Sequence, residues 1–320
     1  MSNPLFTFID LFAGIGGIRL PFEKRGGVCV LSSEWNKFAQ QTYEAVHGEK
    51  PLGDITQIAT KDIPSFDVLL AGFPCQPFSH AGHKKGFSDT RGTLFFEIER
   101  IIQDKKPKAF LLENVKGLKG HDKGRTLDTI MTHLKNLGYH CSFKVLNAKD
   151  FGLPQNRDRI YIVGFKSKKD FQKFSFPTPP SPPTKLGSIL EHSPHSKYTL
   201  SDKLWQGHQR RKKEHLEKGN GFGYSMFNAS SPYTSTISAR YYKDGSEILI
   251  EQKGKNPRKL TPLEAARLQG FPDEVVLKAQ KAGVSDSQLY KQFGNSVAVS
   301  VIDALAENII KALGVSKPSL

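Results

Sequence analysis

The chain has 320 residues, 38% hydrophobic and 24% charged, which is the make-up of a soluble globular protein and not of a disordered or fibrous one. At roughly 150 residues per domain, that length predicts about two domains. Lys and Arg outnumber Asp and Glu by 46 to 31, a formal net charge of +15, which points to a polyanionic partner, nucleic acid before membrane. A merely soluble basic protein is the plainer alternative.

Cys29, Cys75 and Cys141 are an odd number, widely spaced, without a CxxC pair. That argues against a disulfide framework or a structural zinc site, and fits a reducing compartment. The N-terminus lacks a basic region and Asp10 interrupts its apolar run, so no signal peptide is expected. No stretch approaches the roughly 20 apolar residues of a membrane span. The expectation is a cytoplasmic protein.

In chain order, "FTFIDLF" (6–12), "VCVLSSEW" (28–35), "DVLLAGF" (67–73) and "AFLLENV" (109–115) read as buried strands, each bounded by Gly, Pro, Asp or Asn. A helix is expected over 93–106, with Leu94, Ile98, Ile101 and Ile102 on one face. Strand, helix, strand in repetition predicts an α/β fold with a parallel sheet. Over 139–165, two extended runs flanking a Gly-Leu-Pro turn suggest an antiparallel edge hairpin. Five prolines within 177–183 predict a stiff extended linker and a domain boundary. From there to about 257 the periodicity is weak, and only the basic run Arg210, Arg211, Lys212, Lys213 stands out. Thr261 as N-cap, Pro262 behind it and Glu264 at the third position predict a capping box that starts a helix. A last amphipathic helix is expected over 296–314, with Ala298, Ile302, Leu305, Ile309 and Leu313 as its stripe.

Two stretches carry chemistry. "DLFAGIGG" (10–17) is a strand running into a glycine turn, the usual mouth of a nucleotide-type pocket, though a plain tight turn reads the same way. The dinucleotide fingerprint fails at its third glycine, where Arg19 stands, which disfavours a nicotinamide oxidoreductase. Glu34 and Asp54 end the following extended stretches, where carboxylates could hold a ribose and an adenine amino group, or simply be solvated. In "AGFPCQPFS" (71–79), Cys75 sits between two prolines as an inert filler or as a nucleophile, and the stretch alone leaves both open.

Taken together, "DLFAGIGG" (10–17), "EW" (34–35), "GDI" (53–55), "GFPCQPFS" (72–79), "RGTLF" (91–95), "ENV" (113–115), "QNRDR" (155–159), "RKLTPLEAARLQGFP" (258–272) and "QFGNSV" (292–297) appear in the order of the bacterial DNA (cytosine-5)-methyltransferases. The chain resembles that family, of restriction–modification type, over about 5–165 and 258–310, with the middle unmatched. The resemblance implies a Rossmann-like S-adenosylmethionine-dependent methyltransferase sheet, mostly parallel with an antiparallel edge hairpin. A smaller, mainly irregular or β target-recognition domain would accompany it. The catalytic domain would occupy 1–183, completed by 288–320, with target recognition and hinge over 184–287.

The resemblance assigns nucleophilic attack on cytosine C6 to Cys75, with the flanking prolines fixing its sulfur. It places Glu113 at N3 and the exocyclic amine, Arg159 at O2, Arg157 at negative charge around the site, and Gln155 in the loop's support. The cofactor it implies is S-adenosyl-L-methionine, leaving as S-adenosyl-L-homocysteine. Its residues are Phe12, Gly14, Ile15 and Gly17 at the methionine part, Glu34 at the ribose, Trp35, Asp54 and Ile55 at the adenine, and Phe73, Pro74, Leu94, Asn295, Ser296 and Val297 around them. No metal is implied.

Double-stranded DNA is the implied partner, with the target base flipped out, because its reactive carbons are unreachable inside a duplex. Ser79, Lys84, Lys85 and Arg91 lie in a glycine-rich basic segment that resembles the family's closing loop. Over 233–245, Thr236 is expected at a phosphate and Arg240 at a base or a phosphate; Arg210 and Arg211 are expected at the backbone. A cognate restriction endonuclease without stable complex, and a monomeric state, complete the picture. A tRNA methyltransferase of the same family and an inactive DNA-binding homologue are the alternatives.

Overall fold

The computed structural model describes residues 4–74, 94–221 and 223–315, and the chain forms two compact units. The first runs up to Leu146 and includes Asp158–Thr178 and the residues from Val301 on. The second comprises Asn147–Arg157 and Pro179–Ser300.

The first unit is built on a six-stranded sheet. Its elements are β1 (Phe6–Leu11), α1 (Arg19–Lys24), β2 (Gly27–Ser33), α2 (Lys37–His47), β3 (Val68–Gly72), α3 (Leu94–Lys105), β4 (Ala109–Val115), α4 (Arg125–Asn136), β5 (His140–Asn147), β6 (Asp158–Phe165) and α5 (Lys168–Lys173). The strand order is β2-β1-β3-β4-β6-β5. β1, β2, β3 and β4 pair in parallel, and β6 runs antiparallel to β4. Parallel strands have both faces covered, so they read as continuous apolar runs; β3 and β4 are buried along nearly their whole length.

The expected helix over 93–106 is α3, whose buried face is Phe95, Ile98, Ile101 and Ile102, with Leu94 only half-buried. Leu69, Ala71, Phe110 and Leu112 of the central strands share one apolar core with that face and with Leu127, Ile130 and Leu134 of α4. "GDI" forms no strand: Leu52 makes one bridge to Ser33, and Asp54 caps a short 3-10 turn at Ile55–Gln57.

The second unit contains α6 (Asp202–Glu217), two two-residue strands β7 (Met226–Phe227) and β8 (Leu249–Ile250), α7 (Pro262–Leu268), α8 (Asp273–Lys281) and α9 (Asp286–Asn295). The basic run 210–213 lies on α6, whose only buried residue is His208; a helix with so little apolar face leaves no periodicity to read. The capping box at Thr261 is present, with Glu264 also pairing with the buried Arg258 (Nη1–Oε2 2.7 Å, Nη2–Oε1 2.8 Å) and accepting from the Glu191 N–H. A final helix, α10 (Val299–Ala312), buries Ile302, Leu305 and Ile309 of the expected stripe. From Val301 on this helix belongs to the first unit, within which its Asp303 pairs with Lys24 and Arg25.

The boundary between the units falls inside the proline run, at 178 against the expected 183. Asn147–Arg157, expected in the catalytic part, go with the second unit, and the first is rejoined at Val301 and not at 288. The reason is local: Gln155 and Arg157 spend their side chains on backbone groups of Ile237, Leu268 and Gly294.

Removing one partner of a buried pair strands the other charge. Glu264→Ala is therefore expected to cost about 3–5 kcal/mol, read as a lowered denaturation midpoint, because it leaves Arg258 uncompensated and opens the cap of α7.

Candidate active site

In register, Leu11 of β1 lies beside Ser33 and Ala71, and Gly72 beside Glu113. The C-terminal ends of the four parallel strands therefore line up, and β2 and β3 leave β1 on opposite sides. Such a switch point is where open α/β sheets form their ligand crevice.

The turn after β1 has left-handed backbone at Phe12 (φ +54), Gly14 (φ +56) and Gly16 (φ +82). A Cβ on Gly16 would lie 2.1 Å from Nε2 of His47, whereas one on Gly14 would meet nothing within 4 Å. Packing thus selects glycine at 16, while at 14 the left-handed backbone favours it, with open space beside it among the described residues. Ile15 and Gly17 are buried. Glu34, also buried, accepts from the Gly14 N–H at 2.9 Å and the Asn36 N–H at 2.7 Å, so one carboxylate ties the glycine turn to the end of β2. Burial pushes that carboxyl up, while the N–H groups of Asn36, Gly14 and Trp35 pull it down. Trp35 is 74% exposed. Asp54 accepts from the Thr56 N–H at 2.9 Å, and the carbonyl of buried Ile55 accepts from Arg100.

At the neighbouring strand ends, Glu113 faces Arg159 across the antiparallel β4–β6 pair, with Nε 3.2 Å from Oε1. Glu113 pairs directly with Tyr161, so Arg159 is its diagonal neighbour, close enough for a long side chain. The next residue, Asn114, donates from Nδ2 to the Phe73 carbonyl at 2.9 Å, pinning the exit of β3 two residues before Cys75 in sequence. Phe73 is buried, Pro74 exposed and Leu94 half-buried. Cys75, Ser79, Lys84, Lys85 and Arg91 lie outside the described residues. Burial pushes the Cys29 thiol up to about 12 and Cys141 to about 11, so neither holds appreciable thiolate near neutral pH.

Two expectations are corrected in the second unit. Arg157 does not present its charge to an anion: it is 2% exposed, and its guanidinium donates to the carbonyls of Ile237 (3.1 Å), Gly294 (3.1 Å) and Ser296. Thr236 spends its single hydroxyl donor on the Asn156 carbonyl at 2.6 Å, which leaves none for a phosphate. Gln155 is fully buried and holds Ile237, Leu268 and Gln269. Arg240 is exposed, and so are Arg210, paired with Glu214, and Arg211, paired with Asp244. Asn295, Ser296 and Val297 follow one another at the end of α9, the first exposed and the last buried.

Sequence reasoning gave no structural or functional role to Asp10, His47, Arg19 or Asn114. Asp10 is 1% exposed and neither carboxylate oxygen has a hydrogen-bond partner among the described residues. Arg19, where the dinucleotide fingerprint wants glycine, is buried and donates to Tyr43 (2.9 Å), Glu23 (2.6 Å) and Glu49. A buried charge needs partners brought from afar, which a linear motif does not display.

Burial drives the Asp10 carboxyl well above its usual range, with Arg19 only partly opposing. The folded protein therefore keeps this proton at pH values where the unfolded chain, with a pKa near ~4, has released it, and stability falls as pH rises through that window. Asp10→Asn removes the titration. Its stability relative to the unaltered protein should rise as pH increases above about 4, with a slope of at most about 1.4 kcal/mol per pH unit for one proton. A constant difference across that range would refute the assignment.

The chain matches the C-5 cytosine-specific DNA methylase family over residues 6–311. It is 64% identical over 312 residues to the type II methyltransferase M.NlaX of Neisseria lactamica, covering 97% of both chains. It is 62% identical over 315 residues to the type II methyltransferase M.SsoII of Shigella sonnei, covering 98% of this chain and 82% of that one. Among solved structures, the S. pombe Dnmt2 methyltransferase superposes with a TM-score of 0.79 at 21% identity, over 96% of this chain and 99% of that one, which attests the fold. With a family match across nearly the whole sequence, and relatives this similar over 97% and 98% of this chain, the chain belongs to the C-5 cytosine-specific DNA methylase family.

Proposed function

We propose that this DNA cytosine-5-methyltransferase acts on duplex DNA at a specific site, with S-adenosylmethionine as methyl donor, as the modification enzyme of a type II restriction–modification system. The observation that carries the reading is the Glu113–Arg159 pair at 3.2 Å on the strand ends beside the exit of β3, three residues before Cys75 in sequence. Relatives named type II methyltransferases, matched over nearly all of this chain, support DNA over tRNA as substrate.

The glycine-turn residues fit an adenosyl cofactor. Gly14 leaves open space among the described residues, Glu34 has acceptor capacity beyond the N–H groups it holds, and the exposed Trp35 offers a ring for stacking. Phe12, Ile15, Gly17, Asp54, Ile55, Phe73, Pro74, Leu94, Asn295, Ser296 and Val297 complete the proposed set. When bound, S-adenosylmethionine supplies an electrophilic methyl group.

Cytosine C5 is too poor a nucleophile to take that methyl unaided. The Cys75 thiolate adds to C6, and the C5=C6 electrons move toward C5. Glu113 donates to N3 and accepts from the exocyclic amine, which stabilises the displaced charge and selects cytosine; Arg159 holds O2 and orients Glu113. Once C5 carries the methyl, its proton passes to solvent, the C5=C6 bond re-forms and the Cys75 thiolate is expelled. Arg240 and α6 with Arg210 and Arg211 face the DNA from the second unit, which we assign to target recognition. Exposed ion pairs such as Arg210–Glu214 and Arg211–Asp244 contribute little to stability and give way readily to phosphates. The enzyme acts as a cytoplasmic monomer, and its restriction endonuclease works separately on the same site. Among the described residues no single helix is long and apolar enough to cross a membrane.

Purified protein given tritiated S-adenosylmethionine and unmethylated duplex DNA should label the DNA as 5-methylcytosine, and bisulfite sequencing should map the label to one recurring site. Cys75→Ser should abolish the label; label in bulk tRNA alone would overturn the reading. Glu113→Gln should lower kcat by roughly 10²–10⁴-fold while DNA is still bound. Affinity for DNA should fall steeply with salt, with a log–log slope near −0.9 per phosphate neutralised; a flat response would rule out the proposed basic contacts.

A further inference from the structure

Behind the glycine turn, and wholly inside the first unit, the His47 side chain is 3% exposed and its two ring nitrogens meet different surroundings. Nδ1 lies 3.6 Å from Glu23 Oε2, whereas Nε2 is buried with no hydrogen-bond partner among the described residues. A Cβ on Gly16 would stand 2.1 Å from that Nε2, so the hydrogen in its place points at the bare nitrogen. Both backbone groups of Gly16 are already engaged: its N–H donates to the Ala13 carbonyl at 2.8 Å, and its carbonyl accepts from the Leu20 N–H at 3.1 Å. The turn closed by the first of these bonds carries Gly14, whose N–H is held by Glu34 at 2.9 Å. A displacement of Gly16 is thereby passed to the Gly14–Glu34 contact.

We propose that His47 is a positioning residue for the cofactor: neutral, it holds the glycine turn in the shape that binds S-adenosylmethionine, and protonated it releases that shape. The inference rests on the assignment of Gly14 and Glu34 to the cofactor. A neutral imidazole has one N–H, which faces the Glu23 carboxylate from Nδ1 and leaves Nε2 a lone pair that Gly16 can approach. A second proton turns Nε2 into a donor aimed at a C–H. A buried donor without an acceptor is costly, so the ring or Gly16 must move. The positive ring itself has a counter-charge: burial pushes the Glu23 carboxyl up, but His47 and Arg19 beside it outweigh that and hold it below its usual range.

The other groups of this buried cluster are Tyr43, whose ring centroid is 4.5 Å from that of His47, with Arg19 and Glu49 hydrogen-bonded to one another, and Asp10 and Cys29 on the adjoining strands. Burial raises the Tyr43 phenol and the Cys29 thiol, which keeps both neutral. It also raises Asp10 and Glu34, so the His47 contribution must be read as a difference between proteins that share those two carboxyls. The sign is fixed by linkage: the proton favours the unbound turn, so cofactor affinity falls as pH falls through the His47 titration.

Calorimetric titration with S-adenosylhomocysteine at pH 8 and pH 5.5 tests this on the unaltered protein and on His47→Phe, which keeps a ring beside Gly16 and cannot titrate. The ratio of the variant's Kd to the unaltered Kd should fall by roughly fivefold or more from the higher pH to the lower. A side chain that only fills space gives the same ratio at both pH values, and that result overturns the proposal while leaving the cofactor assignment standing. No binding to the unaltered protein at pH 8 overturns both. Should His47→Phe fail to fold, His47→Gln, which keeps an N–H for Glu23, takes its place. Imidazole 15N shifts of the unaltered protein supply a second reading, with the His47 signal identified as the one missing from the variant. At pH 6, S-adenosylhomocysteine should move that signal from the doubly protonated form toward the form with a bare Nε2; a signal indifferent to the ligand overturns the proposal.

Discussion

The parallel register of β1, β2, β3 and β4 is the constraint on which the candidate active site depends. Because Leu11 stands beside both Ser33 and Ala71, and Gly72 beside Glu113, the glycine turn, Glu34, the exit of β3 and Glu113 all emerge at one edge of one sheet. A slip of β4 by a single residue against β3 would turn Glu113 into the apolar core and Leu112 out of it. The core residues Leu69, Ala71, Phe110 and Leu112, buried on adjacent strands, forbid that slip. Packing that looks merely structural thus sets the chemistry.

The second theme is buried polarity. Arg19, Arg157 and Arg258 are each at most 6% exposed, and each is supplied with specific acceptors: carboxylates and a phenol for Arg19, carbonyls for Arg157, Glu264 for Arg258. Desolvating a guanidinium is costly, so such groups persist where their acceptors fix the course of otherwise irregular chain. Arg19 holds the helix behind the glycine turn to Tyr43 of α2 and to Glu49 just after it. Arg157 and Gln155 do the same for the irregular stretch around Ile237. Asp10 is the exception, a carboxyl under the same turn with no partner among the described residues, held neutral by its burial.

The first unit was largely legible as sequence, because parallel strands are apolar runs and α3 and α10 each carry a stripe. The second unit, apart from the capped start of α7, was not. α6 has one buried residue and hence no stripe, and its irregular backbone is ordered by contacts 80 residues or more apart in sequence, such as Arg157 with Ile237. The same blindness led to the two corrected assignments. An arginine in "QNRDR" and a threonine in "YTSTIS" look available to a ligand, yet carbonyls from distant or folded-back segments had already claimed both donors.

The sequence by itself determined the family, the α/β class, the order of the motifs, and which residue types stand at Cys75, Glu113 and Arg159, since these follow from local pattern. Only the tertiary structure decided which of those side chains face one another and which are spent internally. Glu113 meets Arg159 through an antiparallel pairing, Glu34 holds the glycine turn through strand register, and Arg157 is consumed by three carbonyls. The physical reason is that hydrogen-bond satisfaction of a buried group is a property of its surroundings, and those surroundings are assembled from segments that local sequence cannot bring together.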